Sequence, residues 1–75
     1  MSSPTIPFAL RGEFIELDKL LKATGLAGSG GTARHLISEG QVSVDGQVEL
    51  RKTAKIRAGQ VVVFNGERIE VQAPA

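Results

Sequence analysis

Residues 29–46 constrain the fold most strongly, because this run combines a capped helix with the start of a hairpin. Ser29 is a favourable N-cap residue, and Ala33, Leu36 and Ile37 recur behind it at the spacing of one helical face. Gly40 stands where helices commonly end through a left-handed residue. The pattern predicts a helix over residues 30–39 that leads directly into a strand.

A second apolar stripe precedes this run. Leu17, Leu20 and Leu21 share one helical face, and Gly25 follows as a stop. The sequence therefore predicts a first helix over residues 17–24, with a short edge strand just before it.

The C-terminal half contains two copies of a Gly-Gln-Val pattern, each followed by a hairpin dipeptide, Asp45-Gly46 or Asn65-Gly66. Both dipeptides tolerate the positive φ values of tight two-residue turns. At the second turn such a loop pairs Val62 with Ile69 and keeps the apolar residues on one face.

The first turn behaves differently. A two-residue loop there would send Val48 and Leu50 to the face opposite Val42 and Val44. We therefore expect a three-residue loop or a bulge, and a first hairpin that is short or irregular.

Size limits the chain to one small domain, because a domain of 75 residues buries only about 60% of the surface of its unfolded chain. Pro4 and Pro7 interrupt any regular pattern near the start, so residues 1–11 are predicted to be a flexible N-terminal arm, unless Phe8 and Leu10 dock on the body of the domain. Residues 12–73 are predicted to form a single α+β domain, in which two short N-terminal helices pack on a small, mainly antiparallel sheet of two hairpins.

Composition excludes several classes of function. The chain has no cysteine and one histidine, so we expect neither a metal site nor a cofactor. The longest apolar run, residues 61–64, is far too short to span a membrane, and we expect a cytoplasmic monomer. The sequence has no plausible catalytic set of Ser, His and acid, and no Gly-rich phosphate loop that ends in Lys-Ser or Lys-Thr, which argues against an enzyme.

The net charge is only +1, but the charges are unevenly distributed. Acidic residues cluster near the N-terminus at Glu13, Glu16 and Asp18, whereas residues 50–60 contain four cations and no acid. The basic segment is either an ordinary solvated loop or a surface for a polyanion.

Residues 15–71 resemble the S-four RNA-binding domain, or αL motif, named after ribosomal small-subunit protein four. The resemblance rests on the helix-to-hairpin run, on Leu17-Asp18-Lys19-Leu20-Leu21 before it, and on Ala58-Gly59-Gln60-Val61-Val62-Val63 after it. Residues 49–56 look most like the small stand-alone YbcJ-like proteins. The resemblance implies binding of structured RNA, with ribosomal or transfer RNA and ribosomal particles as the expected partners.

Within that resemblance, ten residues are candidate RNA contacts: Ser29, Gly30, Gly31, Arg34, His35, Gln41, Arg51, Lys52, Lys55 and Arg57. Gly30 and Gly31 expose backbone amides to a phosphate or simply ease the turn between the helices. Arg34 is a phosphate ligand or an ordinary exposed arginine, and His35 is more often a packed or capping residue than a contact. Many S-four domains carry an arginine where this chain has Gly30.

Aromatic residues limit the mode of binding. The chain has three phenylalanines and no other aromatic side chain besides its histidine, which argues against base stacking and favours readout of phosphates and shape. The alternative function is a protein adaptor that docks through an edge strand or its acidic end.

Overall fold

The computed structural model describes residues 5–74. Its elements, in chain order, are β1 (Thr5–Ala9), β2 (Ile15–Glu16), α1 (Leu17–Ala23), α2 (Gly30–Ser38), β3 (Val42–Val44), β4 (Gln47–Val48), β5 (Lys55–Ile56), β6 (Val61–Phe64) and β7 (Glu67–Gln72). Five strands form a sheet in the order β1-β7-β6-β3-β4, while β2 and β5 form a separate pair. In the described residues, every strand pair except β1 with β7 is antiparallel, which confirms an α+β domain with a mainly antiparallel sheet.

Local sequence explains both ends of α2. The Ser29 hydroxyl accepts a hydrogen bond from the Thr32 N–H at 3.1 Å and so satisfies one free amide of the first turn. At the other end, Gly40 has a φ of 78°, and the N–H groups of Gly40 and Gln41 donate to the carbonyls of Ile37 and Leu36. These two bonds form a Schellman cap, which requires the left-handed glycine.

Both hairpins turn through a two-residue loop in which both residues have positive φ, 51° and 84° at Asp45 and Gly46 and 53° and 80° at Asn65 and Gly66. These are the angles of type I′ turns, whose twist matches that of the flanking strands. In the second hairpin, Val62 lies opposite Ile69, the register that the sequence predicts.

The expectation of a three-residue loop or a bulge in the first hairpin is wrong. Val44 lies opposite Gln47 and Ser43 opposite Val48, as a two-residue loop requires. Val48 is consequently 61% exposed. The two-residue turn sets this register. β4 ends after two residues, and the core is formed without Val48.

The N-terminal segment also differs from its prediction. Residues 5–9 form an edge strand that pairs in parallel with β7, and the Leu10 N–H donates to the Gln72 carbonyl at 3.0 Å. Ile6, Phe8 and Leu10 alternate toward the core, which stabilises the strand, and Pro7 is tolerated because β1 is at the edge. The part of the predicted arm at residues 1–4 lies outside the described residues.

The core is built from both helices and both sheets. Its fully buried large side chains are Leu17, Leu20, Leu21, Ile37, Val42, Ile56, Val62, Ile69 and Val71. Ile56 brings β5 into this core, so the polar segment around it is anchored to the body of the domain.

Candidate nucleic-acid interface

The cationic segment of residues 51–57, here called the basic loop, is held against the start of α1. The Leu17 N–H donates to the Ala54 carbonyl at 2.9 Å, and the Asp18 N–H donates to the Lys52 carbonyl at 3.1 Å. The first free amides of a helix thus find their partners in the loop. This contact places the basic loop beside the helix pair.

Asp18 also connects the loop to α2. Its carboxylate Oδ2 accepts a hydrogen bond from Arg34 Nη1 at 3.4 Å, and its Oδ1 accepts one from the Lys19 N–H at 2.8 Å. The Asp18 side chain is 8% exposed, whereas that of Arg34 is half exposed. Arg34 therefore lies near the basic loop with part of its guanidinium open to solvent.

Gly30 makes room for this arrangement. A Cβ atom at Gly30 would lie 3.3 Å from Arg34 Nη1, which is tighter than an ordinary contact. At Gly31 the nearest atom to such a Cβ is Ser29 Oγ at 3.8 Å, an ordinary distance. A side chain at Gly30 would therefore require the Arg34 guanidinium to shift by a few tenths of an ångström, whereas one at Gly31 would not.

Arg51 carries a carboxylate partner from its own segment. Its Nε and Nη2 donate to the two carboxylate oxygens of Glu49, both at 3.1 Å. These side-chain hydrogen bonds lower the pKa of Glu49 and raise the pKa of the Arg51 guanidinium, and the Arg51 N–H adds a further bond to Glu49. The charge of Arg51 is therefore compensated in the free protein.

The other cations of the basic loop have no such compensation. Among residues 5–74, Lys52, Lys55 and Arg57 form no ion pair with a carboxylate. Lys55 and Arg57 flank the buried Ile56 and so extend to the same side of β5. Both lie over the ring of Phe14, with Lys55 Nζ at 5.0 Å and Arg57 Cζ at 5.8 Å from its centre.

Arg51 and Lys55 also share a surface depression. Together with Thr53 and Ala54 they line an open cavity of about 490 Å³. The loop thus collects cations around a concave surface, an arrangement suited to an anionic ligand.

The remaining predicted residues have local partners. Ser29 caps α2, and its hydroxyl lies 3.1 Å from Thr32 Oγ1. His35 Nε2 lies 3.1 Å from Glu39 Oε1, and Gln41 Nε2 donates to the same oxygen at 3.1 Å. The contacts of His35 and Gln41 thus lie at the exit of α2 and involve no residue of the basic loop.

Sequence reasoning missed three residues at this surface: Phe14, Asp18 and Glu49. Glu49 could have been found from its position two residues before Arg51. Asp18 lies in the first turn of α1, one turn before the buried Leu21, a position that indicates burial. Phe14 reaches the loop only through the pairing of β2 with β5, which no local pattern reveals.

The described residues contain no group of three acidic or histidine side chains able to hold a metal ion. Within residues 5–74, neither helix is long and apolar enough to cross a membrane.

Comparison with known proteins supports the resemblance. Residues 8–72 match the model of the S4 domain, the S-four domain of the sequence analysis. The chain is 52% identical over 59 residues to YbcJ of Escherichia coli, a protein provisionally named as RNA-binding, and to an uncharacterized YbcJ of Shigella flexneri. Each match covers 79% of this chain and 84% of the relative.

The solution structure of Escherichia coli YbcJ has the same fold. It superposes with a TM-score of 0.73 at 46% identity, and the match covers 97% of this chain and 94% of YbcJ. That structure is described as revealing an αL motif involved in RNA binding. The helix pair, the capped α2 and the hairpin that follows it, together with these matches, show that the chain belongs to the S4 domain family.

Proposed function

We propose that the protein binds structured RNA in the cytoplasm, with ribosomal or transfer RNA, free or in ribosomal particles, as the expected partner. The observation that carries the proposal is a set of three cations, Lys52, Lys55 and Arg57, that form no ion pair within residues 5–74 and lie on one loop anchored beside the helix pair. The RNA-binding names of its YbcJ relative and of the solved YbcJ structure support the same class of ligand.

Lys52, Lys55 and Arg57 supply the main phosphate contacts. They are exposed, and in the described part of the chain they have no ion pair to break before they bind. A loop held at both ends by paired strands loses little conformational freedom on binding, so its cations contribute more of their Coulomb energy to affinity.

Arg34 and Arg51 make weaker phosphate contacts on the same surface. Each must share or exchange its carboxylate, Asp18 or Glu49, when a phosphate approaches. Both arginines therefore bind less strongly than free arginines would, and they favour RNA whose phosphates lie close to the basic loop.

The start of α2 completes the proposed surface. The amides of Gly30 and Gly31 precede the Thr32 N–H, which Ser29 already binds, and they offer two further donors to a phosphate. His35 and Gln41 contribute polar contacts at the far end of α2 where the RNA extends that far.

Salt dependence tests the phosphate contacts. Neutralisation of about four phosphates predicts a slope of about −3 to −4 for log affinity against log salt concentration. A folded hairpin RNA, titrated at several salt concentrations by fluorescence anisotropy, gives this slope. We expect affinity around micromolar, because the net charge is only +1.

A charge reversal locates the surface. Lys52→Glu with Lys55→Glu should abolish binding at moderate salt and leave the circular dichroism spectrum unchanged. The matched control, Lys22→Glu with Arg68→Glu, changes the net charge equally on α1 and β7. Equal affinity of both double variants and the wild type would remove the basic loop from the mechanism.

One observation favours the adaptor alternative. Val48 and Leu50 are 61% and 59% exposed and both approach Gly40, which gives an apolar surface of the kind that docks proteins. Ribonuclease treatment of a pulldown separates the two functions. Loss of the captured material supports RNA binding, whereas ribonuclease-resistant capture of one protein supports an adaptor.

A further inference from the structure

A second concave surface includes Phe14, the ring that Lys55 and Arg57 contact. It is an open cavity of about 630 Å³ between β1 and α1. Phe8, Phe14, Ile15 and Ala23 give it an apolar lining, while Arg11 and Lys19 contribute cations. Apolar walls with a few charged groups are typical of sites for small organic groups.

Phe14 connects this cavity to the basic loop. It is 39% exposed, and it both lines the cavity and lies under Lys55 and Arg57. Proteins stack unpaired bases on partly exposed aromatic rings that lie within a cationic surface. One exposed ring is sufficient to stack one base, so the low aromatic content of the sequence does not exclude such a site.

We propose that Phe14 and this cavity bind one unpaired nucleobase of the RNA whose phosphates lie on the basic loop. The inference rests on the proposed function and deepens it: the preferred ligand is a structured RNA with a bulged or flanking unpaired nucleotide.

The charges around the cavity fit a nucleotide. Lys19 is held by Glu16 at 2.7 Å, whereas Arg11 forms no ion pair within residues 5–74. Arg11 lines the cavity and Lys55 and Arg57 contact Phe14, so these cations can bind the phosphates that flank an extruded base. An apolar side chain from a protein partner would contact the apolar lining of the cavity, but it would leave these cations without an anionic ligand.

The test compares two hairpin RNAs that differ only by a single bulged 2-aminopurine nucleotide. The wild type should bind the bulged RNA at least about fivefold more tightly, the lower range for loss of one base stack. The 2-aminopurine fluorescence should fall on binding, because stacking on an aromatic ring quenches it.

Phe14→Leu should lose both the preference and the quenching, yet retain affinity for the fully paired hairpin and the same salt slope. Leu50→Ala is the matched control, because Leu50 is exposed and apolar but does not line the cavity. Arg11→Gln provides a second variant should Phe14→Leu fail to fold, and it should weaken binding of the bulged RNA alone.

The outcomes separate this inference from the proposed function. Equal affinity of the wild type for both RNAs, without quenching, overturns the base-binding site and leaves phosphate binding intact. Failure to bind either RNA overturns the proposed function. Binding of an apolar peptide that is lost in Phe14→Leu, together with equal affinity for the two RNAs, would assign the cavity to a protein partner.

Discussion

Asp18 on α1 accepts a hydrogen bond from Arg34 on α2 through Oδ2 and Nη1, 3.4 Å apart. The same Asp18 donates its N–H to the Lys52 carbonyl. One buried acidic residue thus joins both helices to the basic loop, and it compensates an arginine that the family resemblance assigns to RNA.

Replacement of Arg34 should therefore affect stability as well as binding. We expect Arg34→Ala to destabilise the fold by about 1 kcal/mol, because the buried carboxylate loses its charged partner but keeps the Lys19 N–H bond. Urea denaturation measures the change.

A double-mutant cycle with Asp18→Asn provides the control. The effect of Arg34→Ala should be smaller in the Asp18→Asn background, since the ion pair is already absent there. Additive effects would show that the ion pair does not couple the helices.

The Glu49–Arg51 pair predicts a gain of function. Glu49→Gln should raise the affinity for RNA, because it removes the carboxylate that competes with phosphate for Arg51. Anisotropy titration at low salt measures the gain. In the Arg51→Ala background, Glu49→Gln should give a smaller increase, and an equal increase would point to a general charge effect.

The same pair predicts a pH dependence of stability. Hydrogen bonds from Arg51 lower the pKa of Glu49 in the folded state. The pair therefore stabilises the fold above the ordinary pKa of glutamate, and this contribution disappears as the pH falls through the lowered pKa. The stability difference between wild type and Glu49→Gln, measured by urea denaturation across the acid range, should shrink as the pH falls. A constant difference would contradict the lowered pKa.

Gly46 is predicted to be intolerant of a side chain. Its φ of 84° lies in the left-handed region, so Gly46→Val should destabilise the fold by about 1 kcal/mol or more. Gly28→Val is the control, because a Cβ at either position meets no atom within 4 Å and Gly28 does not have a positive φ. Equal melting temperatures of the two variants would show that backbone strain at Gly46 is unimportant.

The two neighbouring apolar residues of α2 should differ in their contributions to stability. Ile37 is fully buried, so Ile37→Ala should cost about 2 to 4 kcal/mol. Leu36 packs only partly against the core, and Leu36→Ala should cost less, about 1 kcal/mol. Chemical denaturation of both variants measures the order, and a larger loss at Leu36 would mean that α2 is rotated about its axis.

The sequence by itself determined the local structure of the central run. Three local signals act through their own backbone and immediate neighbours: Ser29, Gly40 and the dipeptide Asp45-Gly46. Their effects can therefore be predicted without the rest of the fold. The cations of the basic loop were visible for the same reason, because clustering along the chain needs no tertiary contact.

Tertiary structure decided which distant segments those elements contact. The prolines near the start indicated an arm, but long-range pairing with β7 and burial of Leu10 stabilise a strand there. Val48 was expected to face the core. The turn geometry instead places it on the opposite face of the hairpin, where it is exposed to solvent.

The composition of the candidate site was likewise decided by contacts between distant segments. Asp18 acquires Arg34 from sixteen residues away, and Phe14 meets Lys55 only because β2 pairs with β5. The sequence therefore identified the cations, while only the fold determined which are compensated and which lie beside an exposed ring. Charge pairing and burial depend on distance in space, and a linear pattern records distance along the chain alone.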